Sequence, residues 1–464
     1  MPGIAHPQPG DDRKSWLDRL LTVFTEAQPG EATTVLLLAS NGFLILAAYY
    51  VIRPLRSALV LPVRIGLPGG GVLTGAEIQS YLGAVMAPLF LVIVPLYGIV
   101  ASTVNRIRLI NYVTLFFVSN LLVFFLLGRA GLTPAALGVA FLLWTGVFNL
   151  MVVAQFWSFA NDLYTAEQGK RLFAIIGFGA SAGAIAGALI ASFLIGQLGD
   201  LPMMLIAAGL LLVCLALTNL IHRRERDRVA DAKSRIQAEQ PLGRAGGFQL
   251  VLRERYLMLI GLLTLAAQLV NTNGNYILSA TLSDNARAAV ATGAASGLSE
   301  RQIIGSYMAG TDFWQNLLVV VIQLFLVSRI FKYLGVGGSL FILPIVALSS
   351  YGLFAAVPAL PVIRVGKIAE NATDYSLQNT ARRALFLPTS REAKYKALQA
   401  VETFFWRAGD LLSGVLTLLI VQVLALGARS YALVNVGLVA VWIVMAIALS
   451  RENRRLTTAV SAAA

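Results

Sequence analysis

Cysteine is nearly absent from this 464-residue chain. Its one copy, Cys214, sits in an apolar run, so no disulfide closes within the chain and no cysteine metal cluster forms. Histidine is almost as scarce. His6 and His222 both lie outside the apolar runs, which leaves no histidine for a proton relay inside a membrane. Charge is also sparse: 13% of residues, against about a quarter in a soluble domain. Apolar residues make up 57%, and the mean hydropathy is +0.75. A chain this poor in polar groups cannot cover a soluble core, so a polytopic membrane protein is expected. Without a histidine in the spans, a nucleophile elbow or metal-ligand spacing, nothing reads as an enzyme, and no cofactor or metal is expected.

Residues 1–32 carry Asp11, Asp12, Arg13, Lys14 and two Pro-Gly pairs, with no apolar core long enough for export. They read as a cytoplasmic tail with an interfacial helix at Trp16–Phe24. The net charge of +13 invites a nucleic-acid reading. Basic cytoplasmic loops, which orient spans and favour anionic headgroups, account for it better, and no nucleic-acid partner is expected.

Apolar segments fall at about 33–55, 78–102, 108–128, 133–159, 172–197 and 201–221, and again at about 256–282, 303–328, 334–357, 360–386, 398–426 and 430–450. This is an all-α pattern of six spans, a gap and six more. It divides the chain into a tail (1–32), a six-helix bundle (33–221), a basic cytoplasmic linker (222–255), a second six-helix bundle (256–450) and a C-terminal tail (451–464). With both termini cytoplasmic, Lys and Arg number 26 inside and 7 outside, in line with the positive-inside rule. The linker holds Arg223, Arg224, Arg226, Arg228, Lys233 and Arg235 before Pro241 and Gly246–Gly247. It reads as a solvated, membrane-skimming connector, with regulation as the alternative.

The halves share weak internal similarity. Tyr50 and Tyr276 lie 226 apart, as do Ser80-Tyr81 and Ser306-Tyr307. Thr165, Gln168, Gly169 and Lys170 match Thr389, Glu392, Ala393 and Lys394 at an offset of 224. A near-constant offset is expected of two parallel six-helix repeats of the major-facilitator type, with the substrate at their interface near the midplane.

The segment 360–386 is the least apolar of the twelve. Arg364, Lys367, Asn371, Asp374, Gln378 and Arg382 recur every three or four residues, forming one stripe along a helix, with Glu370 close by. A charge at mid-bilayer costs about 2.5–3.5 kcal/mol on insertion scales, so this stripe must face protein or a water-filled path. The first span ends in Arg53-Pro54-Leu55-Arg56. Arginines here either snorkel to the interface or, if Pro54 bends the helix inward, present guanidinium groups to phosphate or carboxylate. Asp312, a lone carboxylate within a span, is either a coupling site or an internal ion-pair partner. Gln268, Asn271, Asn273 and Asn275 form a ladder fit for a polar ligand or a neighbouring helix. Arg407 and Asp410, three apart, either pair locally or touch substrate. Gly179, Gly183 and Gly187 resemble a phosphate cradle but lie inside an apolar span without a preceding strand. They read as small-residue helix packing.

The stretch Phe156-Trp157-Ser158-Phe159-Ala160-Asn161, followed by Thr165 and Lys170-Arg171, resembles the ATP/ADP antiporter family of plastids and intracellular bacteria. Asp374-Tyr375-Ser376-Leu377, with Leu387-Pro388, Lys394 and Lys396, is a second match. Arg53-Pro54-Leu55-Arg56 looks like that family's basic motif, with Arg56 where the family carries a lysine. The resemblance implies a twelve-helix major-facilitator-like fold, nucleotide antiport and alternating access. The sequence departs from it at Thr145 and Asn271, where acidic residues are expected, and near Asp410, where a basic one is; a free-living bacterial branch is implied.

The expectation is therefore a multi-pass, monomeric transporter of the bacterial inner membrane. It would carry a nucleotide or other phosphorylated or anionic metabolite, ATP/ADP-type exchange being implied by the resemblance. The candidate substrate-binding residues are Arg53, Arg56, Asn271, Arg364, Lys367, Glu370, Asp374, Gln378 and Arg407, with Asp312 as the coupling candidate. The alternatives are a proton-coupled transporter of another solute and a non-transporting membrane sensor.

Overall fold

The computed structural model describes residues 31–68, 71–164, 166–232, 247–386, 388–389 and 397–463. In a bilayer every backbone N–H and C=O must find a partner within the protein, and long apolar runs satisfy this as helices. The chain follows that rule. Helix α1 (Glu31–Val60) leads into a short antiparallel hairpin, β1 (Arg64–Gly66) and β2 (Val72–Thr74). Then come α2 (Gly75–Thr103), α3 (Arg106–Arg129), α4 (Pro134–Leu163), α5 (Ala166–Leu198) and α6 (Leu201–Ala232). A short α7 (Gly247–Arg253) precedes α8 (Arg255–Ala291) and α9 (Glu300–Val321). Helix α9 runs through a π-helical turn, Ile322–Leu326, into α10 (Val327–Ser339), and α11 (Ile342–Ala356) follows. The polar segment forms α12 (Leu360–Thr373), a π turn (Asp374–Gln378) and α13 (Asn379–Ala384). Last are α14 (Leu398–Ala400), a π turn (Val401–Phe405), α15 (Trp406–Thr417), a π turn (Leu418–Val423) and α16 (Ala428–Ala463).

Among the described residues nine helices are long and apolar enough to cross a membrane. Local chemistry fixes several ends. Asn105 caps α3 by accepting from the Ile107 amide at 3.2 Å, Pro134 opens α4, and Ser299 with Gln302 forms a capping box on α9.

Some boundaries differ from the sequence expectation. The gap expected between segments 303–328 and 334–357 is helical as far as Gly335, whose φ of +66° turns the chain. Helix α6 runs to Ala232, so the basic linker begins as helix, and α7 and the start of α8 occupy its far end. Helix α1 continues through Pro54 to Val60. The N-terminal tail with its Trp16–Phe24 helix, Thr165, Lys233–Gly246, Lys394 and Lys396 lie outside the described residues.

Two large apolar clusters organise the packing. One draws on Val35–Ile221 with Ala309, the other mainly on Val251–Leu449. Within the first, α1 and α5 approach closely. A Cβ at Gly179, Gly183 or Gly187 would collide with the backbone of Ala39, Phe43 or Ala47. The three glycines form a groove that receives α1, as expected for small-residue packing.

Several polar contacts joining the two groups of helices cluster at one end, where α1 stops and α9 starts. Arg64 pairs with Asp284 at 3.5 Å, and Asp200 with Arg301. Ser283 donates to the Leu61 carbonyl at 3.1 Å, and Gln302 to the Gly196 carbonyl at 3.3 Å. Gln422 of the last π turn donates to Glu77 of α2, and Ser80 meets Thr417 at 3.0 Å.

Candidate functional site

Below that closed end lies a cavity of about 890 Å³ between the two groups of helices. Its wall includes parts of α1, α2, α4, α5, α8, α9, α12, α13, α15 and the Asp374–Gln378 turn. Among the described residues its charged lining consists of three arginines (Arg53, Arg56, Arg407) and three aspartates (Asp312, Asp374, Asp410).

Two of these arginines are already matched. Arg53 Nη1 lies 3.1 Å from Asp312 Oδ1, an ion pair between α1 and α9 that bridges the two groups of helices. The Arg53 guanidinium also sits 5.2 Å from the Tyr50 ring centroid, and Tyr49 packs edge-on against Tyr50. Arg407 Nη1 lies 3.1 Å from Asp410 Oδ2, and its guanidinium stacks 4.6 Å over the Phe90 ring of α2. Asp410 Oδ1 also accepts from Gln268 Nε2 at 2.7 Å and Thr272 Oγ1 at 2.9 Å. Arg56 and Asp374 are different. Both line the cavity, and neither has a side-chain hydrogen bond or salt bridge among the described residues.

An amide chain runs along the wall. Asn275 donates to Asn271 at 3.2 Å, Asn271 to Asn371 at 2.7 Å, and Asn371 to Gln315 at 3.0 Å. Gln315 Nε2 ends the chain as a buried donor without a partner among the described residues. The remaining member of the α8 ladder turns away. Asn273 donates to Asn435 at 3.1 Å and accepts from Ser413 at 2.7 Å and Tyr431 at 2.9 Å, tying α8 to α15 and α16.

Four of the residues singled out from sequence lie behind the cavity wall. Lys367 is fully buried, with Nζ 3.0 Å from Glu370 Oε2 and 3.1 Å from the Asn271 carbonyl. Tyr351 also donates to Glu370. Arg364 stacks 4.2 Å over Tyr307 and donates to Thr311 Oγ1 at 3.1 Å. Gln378 is buried, and its Oε1 has no partner among the described residues. The π turn at Asp374–Gln378 explains the last of these. A π turn inserts one extra residue per turn, so the cavity face shifts by one position beyond it. Asn371, Asp374, Tyr375 and Asn379 line the cavity, while Gln378 and Arg382 rotate off it. Arg382 instead stacks 4.8 Å over Trp406 and donates to Asn379 at 3.2 Å.

Gln315, Asn379, Trp406 and the tyrosines 49, 50 and 375 line the cavity without having been singled out as site residues. The pairing of Tyr50 with Tyr276 across the two halves is the sequence signal that points to the last group, because both line the cavity.

Similar arrangements occur in solved transporter structures. A mutant of the nucleoside transporter NupG aligns with a TM-score of 0.63 at 14% identity, over 90% of this chain and 99% of that one. A bacterial homologue of the iron transporter ferroportin in an inward-facing state aligns at 0.61 and 15% identity, over 90% and 98% of the two chains. A POT family transporter in complex with 5-aminolevulinic acid aligns at 0.59 and 13% identity, over 91% and 96%. A comparison with curated protein sequences finds no match. The chain shares its helical fold with these transporters, and its long apolar helices are those of a multi-pass membrane protein. Residues 139–453 match the TLC ATP/ADP transporter family model, and the chain belongs to that family. It is a membrane transporter and not an enzyme.

Proposed function

We propose that the cavity binds a nucleotide or other phosphorylated, anionic metabolite and moves it by alternating access. The observation that carries this reading is Arg56, a cavity guanidinium with no carboxylate partner among the described residues. Guanidinium groups bind phosphate oxygens in pairs, and a desolvated site strengthens the bond. Arg53 lies one turn away, paired with Asp312 at 3.1 Å. Asn271 and Asp374 would read the polar parts of the ligand, and Arg407 its far end. Arg364, Lys367, Glu370 and Gln378 would act from behind the wall by setting its potential and shape.

The architecture proposed is twelve spans, with both termini cytoplasmic, in two parallel six-helix bundles at 33–221 and 256–450 joined by the 222–255 linker. The nine long apolar helices, the shorter Ile342–Ala356, α2 and the polar α12–α13 segment supply that number. In this orientation the closed end faces away from the cytoplasm. The loop charges favour this orientation and anionic headgroups beside the basic loops; a monomer in a bacterial inner membrane is proposed with it.

The family's activity makes exchange the expected mode. The test is uptake of labelled AMP, ADP or ATP into proteoliposomes loaded with unlabelled nucleotide or left empty. At least tenfold stimulation by internal nucleotide is expected, and loss of that uptake in Arg56→Ala. Uptake no faster into loaded than into empty vesicles removes the exchange version. A second reading has one specific observation behind it. Asp312 bridges the two groups of helices, so freeing it by anion binding at Arg53 would leave a carboxylate to take a proton. Accumulation driven by a pH gradient across otherwise empty vesicles would favour that form.

A further inference from the structure

The charges in and behind the cavity match a ligand of one or two negative charges better than one of four. The cavity lining is neutral as it stands, with three arginines against three aspartates. Behind it, Lys367 and Glu370 neutralise each other. Arg364 and Arg382 rest on the rings of Tyr307 and Trp406, with no carboxylate in salt-bridge contact among the described residues. Glu77 of α2, fully buried beside the lining residues Ala76 and Gln79, has no cation paired to it among the described residues, so six cations stand against five carboxylates, a surplus of one. A phosphomonoester carries about −1.5 to −2 at neutral pH. A triphosphate brings roughly twice that charge into the same low-dielectric space.

The pairing pattern says the same. Among the described residues, Arg56 alone of the lining arginines has no carboxylate of its own. A polyphosphate would need Arg53 or Arg407 as well. Taking either strands Asp312 or Asp410 as a buried carboxylate without its counter-ion, a strongly unfavourable state. Asp374 adds a second point. It is a nearly buried carboxylate facing the cavity with no donor bonded to it among the described residues, so a ligand N–H or O–H can take the place of the water that otherwise serves it.

From the charge count and these two unpartnered groups, we infer that the substrate is a phosphomonoester bearing a hydroxyl or amine, with its phosphate on Arg56 and its donor on Asp374, and that polyphosphates are disfavoured. Asp312 is then the specificity determinant, because it withholds Arg53 from further phosphates. This rests on the reading of the cavity as an anion site.

The test is a thermal-shift titration of the purified full-length protein with AMP, ADP, ATP, glycerol 3-phosphate and inorganic phosphate. In the wild type, AMP is expected to reach half-maximal stabilisation at a concentration at least tenfold below that of ATP. In Asp312→Asn, which frees Arg53 and removes one negative charge, that ratio is expected to fall at least tenfold. ATP acting at equal or lower concentration than AMP in the wild type overturns the inference and leaves the anion-site reading standing. Asp312→Asn with an unchanged ratio overturns the role of Asp312. No stabilisation by any of the five, with transport unaffected in Arg56→Ala, overturns the anion-site reading and the inference together. The wild-type ratio decides the substrate class even where Asp312→Asn fails to fold.

Discussion

A lysine with no exposed surface, 3.0 Å from a glutamate of its own helix, would be ruinous in lipid if either partner stood alone. Lys367 and Glu370 survive there because each satisfies the other, while Tyr351 and the Asn271 carbonyl take the remaining hydrogen-bond capacity. Through that carbonyl the pair holds α8 against α12 and fixes the amide chain lining the cavity. Lys367→Ala therefore leaves Glu370 charged and unpaired, a change that costs roughly 3–5 kcal/mol in buried pairs. It should lower the unfolding temperature far more than Arg56→Ala, which removes a group with no partner to strand. Comparative melting of the two purified variants checks this, and equal losses would contradict the assignment of Lys367 to the wall. The types of these residues were legible in the sequence. Their pairings were not, because a stripe at helical spacing states which residues share a face but not which neighbour that face meets.

At the scale of the helix, two features decide the geometry. The first is the glycine groove of α5. Gly183 meets the backbone of Phe43, so any side chain there forces α1 and α5 apart. Gly183→Leu is expected to lower expression of folded protein and abolish uptake, whereas Gly209→Leu, where a Cβ would meet open space, should leave both near wild type. Monodispersity in detergent followed by proteoliposome flux distinguishes the two. The second feature is the π turn at Asp374–Gln378. The spacing of the sequence stripe is that of a regular α-helix, and one inserted residue defeats it. The polar face was readable up to Asp374; beyond it the register slips, and Asn379 takes the place that Gln378 would hold. Helix boundaries were likewise readable where a cap or proline marks them, as at Asn105 and Pro134. They were not where α9 and α10 run together until Gly335.

Across the whole molecule, one set of polar contacts between the two groups of helices forms a clasp at the end where α1 stops. It joins Arg64 to Asp284 and Asp200 to Arg301. Alternating access requires this clasp to open in each cycle, since the cavity below it must reach both sides of the membrane. The single cysteine is buried, so introduced cysteines can be labelled selectively. Arg64→Cys with Asp284→Cys, joined by a short bifunctional maleimide, is expected to stop flux while leaving nucleotide-induced thermal stabilisation intact. Unlinked double-cysteine protein should keep transporting. Full flux after complete crosslinking would exclude opening at this clasp.

The resemblance to a transporter family is what pointed to transport; the sequence by itself determined that this chain lives in a membrane and that charge is concentrated in one unusual segment. These follow from composition and periodicity, which are properties of the chain taken a few residues at a time. Only the tertiary structure decided which charges face the cavity and which neutralise one another. Arg53 and Asp312 lie 259 positions apart and meet at 3.1 Å, a contact no local pattern encodes. The physical reason is that a buried charge is governed by its partner, and the partner is chosen by how whole helices pack.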